Sequence, residues 1–369
     1  MAGGTATTRE TTPQVENPLQ RRRVNVRGVV QGVGFRPFVY GLATQLGLTG
    51  CVGNNSDGVF IELEGEDVQI ERFIDQLVSK PPPLAHIESF ATLALPALGD
   101  TDFVITHSQS DPNAATLISP DLCICDDCLR ELLDPNDRRY RYPFINCTNC
   151  GPRFTITRDI PYDRPLTTMA DFPMCPDCRR EYEDLLDRRF HAQPNACPVC
   201  GPQVSFVWGE ERRARSGVES CLVGDAAIVA TQAALAEGGI VAVKGLGGFH
   251  FACDAANDQA LSKLRERKGR VDKPFAVMAR DIETIRTFAY LNEQEQKLLT
   301  SRQRPIVLLH KRPKGSLSSL VAPGNNFIGV MLPYTPLHFL LFEKLENKIT
   351  QYAVRSTSHE SRSTQHAAD

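Results

Sequence analysis

The sequence predicts a multidomain chain of mixed class: an α+β unit of the ferredoxin-like type, a duplicated four-cysteine unit, and an α/β unit. Three observations predict it. Residues 23–110 alternate in the order β-α-β-β-α-β. Eight of the 12 cysteines fall in four C-x-x-C pairs with a repeated spacing. From residue 220 onward, helical and strand periods alternate with glycine turns. A length of 369 residues accommodates several domains at ~100–200 residues each, and with 41% apolar residues each can bury a core.

Composition excludes several classes of function. The net charge is −3, from 41 basic and 44 acidic residues, which gives no reason to expect a nucleic-acid or bilayer surface. No run approaches the ~18 apolar residues of a membrane span. The opening "MAGGTATTRETTPQVENPLQRRR" has no apolar core and does not read as a secretory signal. A cytoplasmic chain is expected, and C-x-x-C pairs in such a chain read as metal ligands rather than disulfides.

Residues 1–22 are rich in Thr, Gly and Glu and are expected to be disordered. In the first unit, 23–110, "RRVNVRGVV" alternates as a strand does. "RPFVYGLATQLGL" sets Phe38, Val39, Leu42, Ala43 and Leu46 at helical spacing, with Pro37 at the helix start, where its missing N–H costs nothing. "GCVGNNSDGVFIELEG" reads as strand, turn and strand, with Asp57-Gly58 as the turn. "EDVQIERFIDQLVSK" is a second amphipathic helix and "HIESFATLAL" a last strand.

The loop between the first strand and helix, "GVVQGVGFRP", is a candidate anion site. Its glycines at 28, 32 and 34 do not have dinucleotide-loop spacing, and it lacks the Gly-Lys-Ser/Thr of a P-loop. A strand-to-helix loop can still turn its amides from Gln31 to Arg36 onto one small anion, aided by the helix N-terminus and the Arg36 fork.

Residues 120–202 form the cysteine-rich unit. Cys125-x-x-Cys128 and Cys147-x-x-Cys150 are separated by 18 residues, and Cys175-x-x-Cys178 and Cys197-x-x-Cys200 repeat that separation with an offset of 50. "CDDCLRELLDPNDRRYRYPFINCTNCGP" matches "CPDCRREYEDLLDRRFHAQPNACPVCGP" along its length, so the unit is duplicated. Two thiolate pairs complete a tetrahedron, which predicts two structural Zn2+ ions. The repeat favours sequential pairing; a nested arrangement, outer pairs on one ion and inner pairs on the other, is also open. Cys123 is out of register, and Cys51, Cys221 and Cys253 read as core or surface residues. Arg138, Arg139 and Arg141 have acids nearby, which favours a domain-joining role for the fingers over a DNA-binding one.

A linker, "WGEERRARSG", leads to the α/β unit, 220–354. There "AATQAALAEGGIVAVKGLGGFHFACDA" gives helix, turn, strand and glycine-rich turn. "DQALSKLRERKGR" is a helix, "KPFAVMAR" a strand, "ETIRTFAYLNEQEQKLLTS" helical and "PIVLLH" a strand. The polar tail, 355–369, cannot build a core.

"GVVQGVGFRPFVYGLA" with "GLTGCVGNNSDGVFIEL" resembles the acylphosphatases. That resemblance implies that Arg36 binds a phosphoryl group in the loop formed by Gln31, Gly32, Val33, Gly34 and Phe35, and that Asn54 orients the attacking water. The order of the three units, together with "GGIVAVKGLGGFHFACDA", "LRERKGRVDKPFAVM", "RPIVLL" and "GVMLPYTPLH", resembles the hydrogenase-maturation carbamoyltransferase family HypF, the third unit being similar to its YrdC-like domain. The resemblance implies a relay. Carbamoyl phosphate is hydrolysed at the first site, and ATP converts the carbamate to an adenylate at the YrdC-like site. A further domain then passes the carbamoyl group to a HypE-like maturation protein. It also implies that Lys268, Arg270 and Lys273 bind nucleotide. Lys244 and His250 flank the glycine turn, and His338 lies in "PYTPLH". The family is about twice this length and carries a Thr-Ser-Gly-Asn type motif where this chain has Thr357, Ser358, His359 and Glu360. The expectation is a shortened acyl-phosphate hydrolase with a truncated or frame-shifted end; the alternative is a zinc-stapled scaffold that docks maturation partners without chemistry.

Overall fold

In the computed structural model, which describes residues 19–106, 118–209 and 221–343, the first alternating run forms β1 (Gln20–Val29), with Val24 and Val26 turned into a core. It is followed by α1 (Phe35–Gln45), β2 (Thr49–Asn55), β3 (Gly58–Gly65), α2 (Asp67–Ser79), β4 (His86–Leu95) and β5 (Phe103–Ile105). The sheet order is β4-β1-β3-β2-β5, with β1 antiparallel to both β3 and β4. Val39, Leu42 and Ala43 of α1 and Ile70, Phe73 and Leu77 of α2 pack with Val52, Ile61 and Leu63 of the sheet. Burying a side chain of this size contributes roughly 1.5–3 kcal/mol, so the stripe spacing of the two helices specifies which side of the sheet they cover.

Three details differ from the sequence expectation. Helix α1 opens at Phe35 on a left-handed Gly34 (φ 74°), which places Pro37 third in the helix, still within the turn whose N–H groups have no intrahelical acceptor. The hairpin turn is Ser56-Asp57, with Asn55 opposite Gly58. Gly58 already belongs to β3 at φ 149°, and a Cβ there would lie 2.1 Å from the Val26 carbonyl oxygen. β5 was not expected, being three residues long and carrying no periodic signal; it runs parallel to β2. The Glu64 carboxyl accepts from the amides of Leu98 (2.8 Å) and Gly99 (2.7 Å) and from Arg21 (3.0 Å), which pins the chain ahead of β5. The Leu98 amide, acting against burial and joined by Arg21 and Gly99, holds that carboxyl below its ordinary pKa.

Residues 1–117 and 118–369 are two separate compact units. The second begins with α3 (Asp126–Leu133) and α4 (Pro176–Glu183), each following the first cysteine of a finger's opening C-x-x-C pair. After β6 (Ser205–Phe206) and β7 (Leu222–Val223), which pair, come α5 (Asp225–Ala236), β8 (Val241–Lys244) and β9 (Phe249–Ala252). Then follow α6 (Asp258–Lys268), β10 (Ala276–Met278), α7 (Ile282–Phe288), α8 (Glu293–Thr300), β11 (Val307–His310), β12 (Phe327–Met331) and α9 (Pro336–Leu341). β8 and β9 form a hairpin, and β12 lies between parallel β10 and antiparallel β11. The stretch "ETIRTFAYLNEQEQKLLTS", expected to be helical, is two helices: Ala289 bridges to Lys311, and Asn292 restarts the helix through a capping box with Glu295.

Ile228 of α5 and Leu340 of α9 pack against Leu132, Tyr142, Ile145 and Met169 of the cysteine-rich segment. Arg141 of that segment pairs with Asp225 and Glu343. Of the N-terminal stretch 1–22 expected to be disordered, Gln20, Arg21 and Arg22 instead belong to β1 and pair with β3; residues 1–18, the linker from residue 210, the polar tail and the Thr357–Glu360 stretch lie outside the described residues. Among the described residues, no helix is long and apolar enough to cross a membrane.

Gly58→Ala is expected to destabilise the β1–β3 pairing by about 3 kcal/mol, because a methyl group must displace strand backbone at a positive φ. Amide hydrogen exchange at Val26 and Val59 checks this; unchanged protection there contradicts it.

Candidate active site and metal centres

In the β1–α1 loop, Gly32 (φ 71°) and Gly34 (φ 74°) both take the left-handed conformation, which reverses the chain without Cβ strain. Val33 and Phe35 are each 1% exposed and anchor the loop in the core. Gln31 is also buried, and its amide donates to the carbonyl oxygens of Asn55 (2.8 Å) and Gly58 (2.7 Å). The side chain of Gln31 therefore ties the loop to the hairpin beside Asn54 rather than presenting itself to a ligand. Sequence reading missed this tie because nothing local to Gln31 indicates a partner 24 or 27 residues away.

Arg36 is the second residue of α1 and Asn54 the penultimate residue of β2; both are buried. Gly53, next to Asn54, has no room for a Cβ, which would lie 2.6 Å from the Phe60 ring and from the Thr106 hydroxyl. The site thus combines a helix N-terminus, a left-handed glycine loop, a guanidinium and an amide, held by one core. Such a set can bind a small tetrahedral anion and a water.

The cysteines gather as Cys125, Cys128, Cys147 and Cys150, and as Cys175, Cys178, Cys197 and Cys200. This is the sequential grouping; the nested one does not occur. Neighbouring sulfurs are 3.7 Å (Cys125–Cys147), 3.8 Å (Cys147–Cys150), 3.7 Å (Cys175–Cys197), 3.7 Å (Cys197–Cys200) and 3.6 Å (Cys178–Cys200) apart. Sulfurs placed ~2.3 Å from a central ion at tetrahedral angles stand about 3.8 Å apart, whereas a disulfide measures ~2.05 Å. Both donor sets therefore fit a tetrahedral metal ion. Cys51, Cys123, Cys221 and Cys253 belong to neither cluster.

In the α/β segment, β9, β10, α7, α9 and the turns around them enclose a cavity of about 850 Å3. Of the three cations matched to a nucleotide motif, Arg270 lines the cavity; Lys268 and Lys273 do not. The Lys268 ammonium sits 5.0 Å from the Phe251 ring centre, and Arg270 stacks 5.2 Å from that of Phe275. Lys244 lies over Phe249 (5.0 Å) at the hairpin edge. His250 and His338 both line the cavity, and Tyr334 stands between them. Its hydroxyl is 3.4 Å from His250 Nε2 and its ring 4.4 Å from that of His338. Burial, reinforced by His250, pushes the His338 pKa down to about 4.

Family comparison agrees with this layout. The acylphosphatase model matches residues 22–105, the HypF finger model residues 124–157 and 174–207, and the Sua5/YciO/YrdC model, described as telomere recombination, residues 233–369. The chain is 52% identical over 332 residues to the carbamoyltransferase HypF of Rhizobium leguminosarum bv. viciae, covering 90% of this chain and 41% of that protein. The acylphosphatase of Thermotoga petrophila is 40% identical over 90 residues, 24% of this chain and 99% of that one. The crystal structure of full-length HypF in its phosphate- and nucleotide-bound form superposes with a TM-score of 0.81 at 48% identity, over 90% of this chain and 42% of that one. The chain thus spans about two fifths of the length of the HypF relatives it matches.

Two outcomes are expected. Replacing Cys128 or Cys178 with Ser should lower the bound metal measured by elemental analysis by at least half, since each belongs to one cluster. His338 is neutral in the fold, whereas the unfolded chain takes up a proton at the ordinary 6.5. Its contribution to stability is therefore complete above about pH 6.5 and is lost as the pH falls toward 4. In melting curves across that window, His338→Gln should lose less stability than the parent; parallel losses contradict the assignment.

Proposed function

Because the chain belongs to the HypF family, we propose that it hydrolyses carbamoyl phosphate, or a similar acyl phosphate, in the loop between β1 and α1. The loop amides from Gln31 to Arg36 and the Arg36 guanidinium receive the phosphoryl oxygens. Asn54 orients a water for in-line attack at phosphorus. The new bond joins the water oxygen to phosphorus, and the bond that breaks joins phosphorus to the carbamate oxygen. The water's proton leaves on the products, carbamate and inorganic phosphate. An acyl phosphate is already activated, so positioning and charge stabilisation suffice and no covalent nucleophile is needed. The observation that carries this reading is the Gln31 tie, which fixes the loop against the strand bearing Asn54.

The two cysteine clusters hold structural zinc in this reading, closed by four thiolates each and offering no open position for chemistry. The carbamate product then passes to the α/β cavity, where Arg270 and its neighbours meet ATP. The carbamoyl group is destined for a HypE-like maturation protein through segments that the relatives carry beyond the matched two fifths.

Phosphate release from carbamoyl phosphate tests the proposal. Arg36→Ala should lower kcat/KM by about 10²–10³ or more, and Asn54→Ala should act chiefly on kcat. Turnover retained in Arg36→Ala overturns the site. A parent chain without turnover that still binds a HypE-like protein favours a docking scaffold instead.

A further inference from the structure

The two fingers exchange arginines. Each repeat carries Asp-Arg-Arg after its helix: Asp137-Arg138-Arg139 and Asp187-Arg188-Arg189. In both, the aspartate carboxylate accepts from the second arginine's amide at 2.7 Å, which closes a tight turn. Neither arginine pair serves its own finger. Arg138 donates to Glu181 (3.1 Å) and to Cys178 Sγ (2.8 Å). Arg188 donates to Glu131 and to Cys128 Sγ (3.1 Å). Arg139 reaches the Ala196 carbonyl (2.9 Å) and Glu181, while Arg189 reaches the Asn146 carbonyl (3.1 Å) and Glu131. Each of these contacts has its counterpart 50 residues away. Arg139 and Arg189 are almost fully buried.

On the reading that each cluster holds a divalent ion, we infer that the two metal centres are one coupled unit, each finger's arginine pair being the positioning residues for the other finger's thiolates. The coupling has a mechanical route. Arg138 and Arg139 lie inside the 18-residue segment that the first cluster closes, and Arg188 and Arg189 inside the segment that the second closes. An ion in one cluster fixes its own segment, and that segment aims guanidinium N–H groups at the opposite cluster's sulfur and glutamate. Four thiolates around a divalent ion carry excess negative charge, and charge-assisted N–H···S bonds offset it. By linkage, each ion strengthens the hold on the other equally.

The test uses the full chain loaded with Co2+, whose sulfur-to-metal charge-transfer band reports electron density on the thiolates. In a chelator titration the parent should lose both ions in one step. Arg138 is partly exposed, and Arg138→Gln leaves the buried Arg139 in place. In that variant one ion should leave at about tenfold lower chelator concentration, in line with the ~10–100-fold effect of outer hydrogen bonds on metal affinity. Its band should move to lower energy, and Arg138→Lys should restore both. Cys175→Ser, which breaks only the second cluster, should also loosen the ion in the first. Two ions lost independently in the parent, or an unmoved band in Arg138→Gln, overturn the coupling. A chain that takes up no cobalt overturns the metal reading itself.

Discussion

Negative charge taken out of water is the constraint on which the second unit is built. Eight cysteine sulfurs sit in two tight clusters, and the largest fully buried side chains among the described residues include two arginines, Arg139 and Arg153. Arg153 donates to the carbonyls of Cys147 (2.9 Å) and Cys150 (2.9 Å), which orients the knuckle that carries both sulfurs. The segment's apolar core, with Ile124, Leu132, Tyr142, Ile145 and Met169, is small; ligand bonds and charge-assisted hydrogen bonds add to it. The α/β segment then rests on the finished fingers through Ile228 and Leu340, and Arg141 joins α5 to the residues after α9.

The first unit meets an anion in a different way. Its apolar core is complete without a ligand, and the candidate site is built on the edge of that core. Val33 and Phe35 point inward, Gln31 fastens the loop to the hairpin, and the two left-handed glycines set the direction of the main chain. The scaffold fixes the loop before any substrate arrives, so little ordering entropy remains for binding. In the fingers the negative charge is resident and side chains are permanently committed to it. In the loop the proposed charge is a visitor, and the main chain and one guanidinium receive it.

What was legible in the sequence followed from how far along the chain each interaction reaches. The C-x-x-C spacing and its 50-residue repeat are local, so both clusters could be read, but spacing alone left the pairing open. The periods of α1 and α2 marked their buried sides. The break at Asn292 was readable, since Asn292 and Glu295 spell a capping box, but the apolar period ran on and concealed it. β5 is too short to carry a period. The exchanged arginines stand in plain sight in both repeats, yet their thiolate partners lie 40 and 60 residues away, and no local pattern chooses between a nearby acid and a distant thiolate. Among the nucleotide candidates, charge alone could not separate Arg270, on the cavity wall, from Lys268 and Lys273, which are not.

The proposed hydrolysis depends on the β1–α1 loop being the anion site of the first unit. Its most direct test is a titration of the full chain with inorganic phosphate, followed by backbone amide chemical shifts. The amides from Gln31 to Arg36 and the Asn54 side-chain amide should move together along one saturating curve. Shifts confined to the surroundings of Arg270, with residues 31–36 unmoved, would contradict it.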